Sequence, residues 1–279
     1  MLLPVKPVRY YNVNIETLSR GELLELQFNR LKKVIDYVYH TNAFYRGKYR
    51  NAGVHPDDIK NMDDFRKKIP FVTKNEFVKD QEETPPYGKR LGISEKKIVT
   101  VHMTSGTSGL GQEVYGQTRA DMEFMGHWNY ALHWAGVERG DVAVMLVPLA
   151  THLGGSCTHF YSHIKKGTNF FALGPFDTKG KIKMMLRFKP KYMYTVPAYL
   201  TYITNEFKKE GIDPKKELPD LKSIKVVAEN FPIPWAEKMM DFWNSRLSEI
   251  YGSTQLLTIA GPTCERGCVY EGKRGVIHF

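Results

Sequence analysis

Cysteine is scarce. The chain has three, Cys157, Cys264 and Cys268, in 279 residues, too few for a disulfide framework and in keeping with a reducing compartment. Long apolar runs are missing too. The longest, Val142–Ala150, is nine residues with a proline inside it, against about 20 needed to cross a bilayer. The opening MLLPVKPVRYY has no apolar core of the signal-peptide kind. No segment repeats and none is of low complexity. These absences argue against a disulfide-stapled secreted fold and a helical membrane protein, and lead to the expectation of a soluble cytoplasmic chain with no membrane partner.

What is present suits one large domain or two ordinary ones with a substantial core. Basic residues outnumber acidic ones, 40 to 30, for a net charge of +10. That balance favours anionic partners, and nucleotides or coenzyme A satisfy it as readily as nucleic acid. The lysines are spread along the chain, as on a solvated surface. Nucleic-acid binding would rest on charge alone without a recognised module, so none is expected.

Ser19 and Glu22 form an S-x-x-E capping box, and Leu24, Phe28, Leu31, Ile35 and Val38 follow at helical spacing to about His40. Asp63–Lys68 reads as helical, and Thr73 with Glu76 opens another helix ending near Asp80. From Ile93 the chain alternates strand and helix. Strands are expected at Ile98–Met103, Glu113–Thr118, Val142–Val147, Asn169–Leu173, Lys191–Val196, Ser223–Ala228, Ser248–Tyr251 and Gly275–Phe279. Helices are expected from Thr118 through Leu132, near Cys157–Lys165 after a break at Leu153–Gly155, and at Lys179–Phe188, Ala198–Lys209 and Pro234–Arg246. This pattern predicts an α/β fold, a mostly parallel sheet flanked by helices, preceded by a mainly helical segment. The domains are drawn at 1–92, helical, and 93–279, the α/β core.

The stretch that organises the chain is Val101–Tyr115, VHMTSGTSGLGQEVY. Thr104, Ser105, Thr107 and Ser108 supply hydroxyls. Gly106, Gly109 and Gly111 let the backbone turn and bring N–H groups close to a ligand. This chemistry suits phosphate oxygens, although no Gly-Lys-Ser/Thr closes a Walker loop. A plain hairpin tip rich in turn residues is the alternative. In a parallel sheet, ligands gather at the carboxyl ends of strands. Pro148–Gly155, Ala228–Phe231 and Tyr251–Gln255 end strands with small or polar residues.

TSGTSG, AEN at Ala228–Asn230 and YGSTQ at Tyr251–Gln255 resemble the nucleotide-contacting motifs of the acyl-adenylate-forming, AMP-binding superfamily. LQFNRLKKVIDYVYHTNAFYR, AGVHPDDI, IPFVTKNEF and PPYG resemble the opening of phenylacetate-CoA ligases. The resemblance runs in order from Leu23 to Phe279 and implies the large N-terminal domain of such a ligase. It implies ATP-dependent activation of an aryl carboxylic acid through acyl-AMP to a coenzyme A thioester, with magnesium assisting. It would give Thr104, Ser105, Gly106, Thr107, Ser108 and Gly109 the β- and γ-phosphates. Ala228, Glu229 and Asn230 would line the adenine, with Tyr251, Gly252 and Ser253 beside the nucleotide. Thr254 would touch the α-phosphate, and Thr254 and Gln255 would stand in the catalytic position. Leu149, His152, Gly154, Gly155 and Pro197 would form the acyl-pocket wall. Plain alternatives are a helix-preceding carboxylate for Glu229, strand packing for Tyr251 and a structural or solvated role for His152.

The chain departs from the family pattern in three places. Leu110 and Gly111 stand where the loop usually carries lysine and proline. Gln255 replaces the glutamate that ligates magnesium, and an amide is the weaker ligand for a hard cation. The family's ribose-holding aspartate, hinge and small C-terminal domain are not found before Phe279. The expectation is an impaired ligase, or a non-catalytic nucleotide- or acyl-binding protein of the same fold, with a homodimer possible. Cys264-x₃-Cys268 and His278 supply three soft or borderline ligands for a structural zinc, without a standard spacing and without a fourth ligand.

Overall fold

The computed structural model describes residues 10–104, 106, 109, 111–125, 129–149, 153–256, 261–264, 266–270 and 272–275, with backbone alone at 125, 129, 153–159 and 270. By packing, the chain falls into two units. One is Asn12–Ala120; the other is Asp121–Phe279 together with the N-terminal stretch to Tyr11.

In the first unit, helix Arg20–Thr41 begins at the Ser19–Glu22 capping box and buries Ile35 and Tyr39, one turn apart. With Tyr49, Val54 and Ile59 they form a small core. Helix Lys74–Glu83 starts at the Thr73–Glu76 box and runs three residues past the expected end. An antiparallel hairpin follows, β1 Ile98–Met103 and β2 Val114–Thr118, with Met103 opposite Val114.

The second unit is built on a six-stranded sheet. Its strands are β3 Val142–Met145, β4 Asn169–Ala172, β5 Tyr192–Thr195, β6 Ser223–Val227, β7 Arg246–Tyr251 and β8 Gly261–Pro262. Their spatial order is β4-β3-β5-β6-β7-β8, parallel except for antiparallel β8. The chain moves one way from β3 to β4, then crosses back beyond β3 to β5. Right-handed crossovers therefore put the helix after β3 on one face and those after β4, β5 and β6 on the other. The larger core lies beneath helices Thr178–Phe188, Pro197–Lys209 and Ile233–Trp243, and includes Met185, Leu200, Phe207 and Trp243. The smaller core, on the opposite face, holds Leu132, Ala143, Met145, Tyr192 and Tyr194. Reversal of direction between β3 and β5 opens a crevice at the carboxyl ends of the strands.

Several expected boundaries move. Leu153–Gly155 does not break the chain: helix Leu153–Lys166 begins there and takes both glycines into its first turn. Glycine costs least where backbone donors lack helical partners anyway. The predicted helix to Arg246 ends at Trp243, because Asn244 adopts a left-handed cap at φ 47° and releases Arg246 to start β7. β6 ends at Val227, since Ala228 turns to φ 68°. Helix Arg119–Met125 and helix Asn129–Trp134 stand where one was expected, with 126–128 outside the described residues. Two-residue strands β9 Val269–Tyr270 and β10 Lys273–Arg274 pair antiparallel, a hairpin the alternation did not predict. Residues 276–279 of the last expected strand lie outside the described residues.

Candidate active site

The loop after β1 is closed at its neck by two hydrogen bonds between Thr104 and Glu113, one backbone to backbone and one from a backbone amide to a side-chain hydroxyl. The Thr104 amide donates to the Glu113 carbonyl and the Glu113 amide to Thr104 Oγ1, each at 2.9 Å. Gly106 and Gly109 have φ of 72° and 71°, where a β-carbon is strained. At Gly106 it would also meet Gln112 at 2.8 Å. Ser105, Thr107, Ser108 and Leu110 lie outside the described residues.

Beneath the neck is a charged core that the motif reading did not find. Glu113 is fully buried and accepts from the Tyr115 hydroxyl. The Arg90 guanidinium stands 4.0 Å from Glu113 and donates to the Val114 carbonyl at 3.0 Å. It lies 4.6 Å from the Phe77 ring centre and 4.5 Å from that of Tyr115. Burial, then the Glu113 hydrogen bond, raises the Tyr115 phenol. Gln81 completes the clamp, accepting from the Val114 amide at 3.1 Å and donating to its carbonyl at 2.9 Å. The sequence offers one weak signal, a charge at Glu113 where an apolar strand begins.

In the second unit, the carboxyl ends of β5 and β6 are tied directly. Glu229 Oε2 accepts from the Ala198 amide at 2.8 Å, in the first turn of the helix that Pro197 opens. Its carboxylate therefore occupies a helix N-terminus, where negative charge is favoured. Ala228, Glu229 and Asn230 are exposed, and Pro197 is buried. Tyr251, ending β7, is 57% exposed and does not bury its ring as ordinary strand packing would. Gly252 and Ser253 lead into the short turn Thr254–Leu256, on which Gln255 is exposed. Leu149, after β3, is exposed as well. His152 is outside the described residues, and Gly154 and Gly155 are described as helical backbone.

A second tie holds the loop after β6. Arg274 donates to Glu249 Oε1 at 2.7 Å and to the Phe231 carbonyl at 3.2 Å, and stacks 4.1 Å from the Phe231 ring centre. Burial raises the Glu249 carboxyl, and Arg274 opposes that rise. Cys264 is half-buried and Cys268 fully buried, and no disulfide joins them. Among the described residues no group of three His, Cys, Asp or Glu gathers around a possible metal, and His278 lies outside them. Two thiols do not fill a tetrahedral site.

The sequence model of the AMP-binding enzyme family matches residues 48–276, from before the Thr104 loop to beyond the 251–255 turn. The chain belongs to the AMP-binding enzyme family. Its curated relatives include the phenylacetate-coenzyme A ligases of Aromatoleum evansii and Thermus thermophilus, each 28% identical. Each alignment takes in 94% of this chain, against 57% and 56% of the respective relative. The chain thus spans about half the length of the curated relatives it matches. Among solved structures, 2-hydroxyisobutyryl-CoA ligase in an open conformation, in complex with 2-HIB-AMP and CoA, superposes with a TM-score of 0.82. That match covers 97% of this chain and 65% of the other at 21% identity, and shows the adenylate-forming ligase fold. No helix among the described residues is long and apolar enough to cross a membrane.

Proposed function

We propose that this chain carries the nucleotide and acyl sites of an acid–thiol ligase that activates an aryl, phenylacetate-like carboxylic acid. The acid carboxylate attacks the α-phosphate of ATP, giving acyl-AMP and releasing pyrophosphate. The coenzyme A thiol then attacks the acyl carbon, giving the thioester, AMP and a proton. The family match over residues 48–276, a range that takes in the Thr104 loop, Ala228–Asn230 and Tyr251–Gln255, supports this reading.

Hydroxyls and amides of Thr104–Gly109 hold the β- and γ-phosphates, preorganised donors facing developing charge. Ala228–Asn230 line the adenine, with Glu229 fixing that loop through Ala198. Tyr251–Ser253 flank the nucleotide, and Thr254 meets the α-phosphate. Leu149, His152, Gly154, Gly155 and Pro197 wall the acid. Magnesium, when bound, would neutralise phosphate charge. Gln255 offers it an exposed amide instead of a carboxylate, a poor fit to a hard cation.

Thermal stability with AMP, ADP and ATP, each with and without magnesium, tests the reading. A ligand that binds only the folded state stabilises it by about 2.7 kcal/mol at a hundredfold excess over Kd. AMP or ATP should raise the midpoint; no shift with any nucleotide would overturn the proposal. Gln255 favours one second reading, a non-catalytic nucleotide- or acyl-binding protein. Nucleotide binding without acid-dependent exchange of pyrophosphate into ATP would select it.

A further inference from the structure

Strands β6 and β7 deliver the two segments proposed to flank the nucleotide base. Val227 lies opposite Ile250, so Ala228 and Tyr251 leave the sheet as neighbours. Arg274 belongs to neither segment and bridges the chain on both sides of that exit. It donates to Glu249 Oε1 at 2.7 Å, two residues before Tyr251. It also donates to the Phe231 carbonyl at 3.2 Å, one residue after Asn230. Its guanidinium stands 4.1 Å from the Phe231 ring centre, within cation–π reach.

The bridge is anchored at both ends. The Cys268 amide donates to the Leu247 carbonyl at 2.9 Å, and the Gly275 amide to the Cys268 carbonyl at 2.8 Å. These bonds hang the β9–β10 hairpin, and Arg274 with it, on β7. A β-carbon at Gly275 would meet the Gly267 carbonyl oxygen at 2.1 Å, a contact that only glycine avoids. At the other end the Phe231 ring lies 4.9 Å from that of Trp235, whose Nε1 donates to Thr201 Oγ1 at 2.8 Å. Glu229, bonded to Ala198, fastens the same loop to the same helix.

Stability alone does not account for this pair. The Glu249 side chain is nearly buried, and its Oε2 has no hydrogen-bond partner. A buried ion pair with one carboxylate oxygen unsatisfied is commonly no better for stability than well-packed apolar side chains. What it supplies is fixed geometry. Charge-assisted bonds from a planar fork have a set direction, and a guanidinium can serve a carboxylate, a carbonyl and a ring face together.

We propose that Arg274 is a positioning residue of the nucleotide site, holding the Ala228–Asn230 loop and the Tyr251–Gln255 turn at the separation that receives the base. The inference rests on the function proposed above and deepens it. Arg274 acts on the nucleotide through Phe231 and Glu249, from a hairpin that lies outside every segment assigned to the ligand.

Calorimetric titration with AMP, with thermal unfolding alongside, tests this on the unaltered protein, Arg274→Met, Arg274→Lys and Trp243→Phe. Arg274→Met should bind AMP at least about fivefold more weakly, within the range that packed networks transmit. Arg274→Lys keeps a cation beside Glu249 without the fork to Phe231, and should recover part of the affinity. Trp243→Phe, fully buried in the larger core, should lower the unfolding midpoint and leave AMP affinity unchanged. Unchanged AMP affinity in Arg274→Met, or an equal loss in Trp243→Phe, overturns the inference and leaves the nucleotide site standing. Hydrogen exchange on the unaltered protein decides the matter if Arg274→Met does not fold. AMP should slow exchange in the β9–β10 hairpin together with the 228–231 loop, and a hairpin left unprotected overturns the inference. If the unaltered protein does not bind AMP, the proposed function itself fails.

Discussion

The Glu229 carboxylate accepts the Ala198 amide hydrogen at 2.8 Å, joining the loop after β6 to the first turn of the helix after β5. Adjacent parallel strands thereby share one bond at their carboxyl edge. Ala228, held at φ 68° immediately before it, is a backbone position that L-residues rarely adopt. Strain next to an exposed acidic side chain on a strand end fits a ligand-contacting loop better than a connecting one.

Glu229→Ala should lose a helix cap, worth about 1 kcal/mol, and lower Tm by about 2–4 °C. AMP affinity should fall with it, while Glu229→Gln, which keeps an acceptor, should recover most of both. Calorimetric unfolding and AMP titration of the two variants check this. Lost stability with unchanged AMP affinity would assign Glu229 to the fold alone.

Arg90→Met should be among the most damaging single changes in the first unit. It removes the cation between Phe77 and Tyr115 and breaks the ion pair with the buried Glu113, a loss of about 3–5 kcal/mol. Adding Glu113→Gln should restore part of that loss, because the buried carboxylate that Arg90 faced is replaced by a neutral amide. Urea unfolding of the single and double variants measures the coupling.

Stability should rise with pH across two windows. Unfolded Lys225 holds its proton to its ordinary value of 10.5, and folded Lys225 releases it near 7. Between those values the unfolded state binds more protons, so unfolding grows costlier by up to about 1.4 kcal/mol per pH unit. His163 acts with the same sign between about 3 and 6.5. Burial raises the Cys268 thiol from 9.0 to about 12 and opposes the trend above 9. Denaturant midpoints between pH 7 and 9 should therefore climb, and the climb should flatten in Lys225→Met.

Gln255→Glu should increase the magnesium dependence of ATP binding, since a carboxylate replaces an amide beside a hard cation. The gain should appear as a larger thermal shift with ATP and magnesium, with AMP alone unaffected. Equal shifts in both proteins would remove Gln255 from the metal's position.

The local elements were legible because their determinants are local. Ser19 with Glu22 and Thr73 with Glu76 close capping boxes within one turn, and both helices start where those residues say. Boundaries failed where one residue's backbone state decided them. Asn244 and Ala228 take positive φ, which neither periodicity nor composition announces, and each moved the edge of an element. The Gly154–Gly155 pair read as a break because glycine weakens helix interiors, yet it falls in a first turn.

By itself the sequence determined the alternating β and α segments, the hydroxyl- and glycine-rich Thr104 loop and the family pattern, since each is written within a short window of chain. Tertiary structure alone decided the strand order β4-β3-β5-β6-β7-β8 and the bond between Glu229 and Ala198, 31 positions apart. It also decided that Arg90 sits against Glu113, and that Lys225 shares a buried face with His163 and Tyr192. The physical reason is that burial and charge pairing depend on which segments meet, and strands distant in sequence meet only when the sheet assembles.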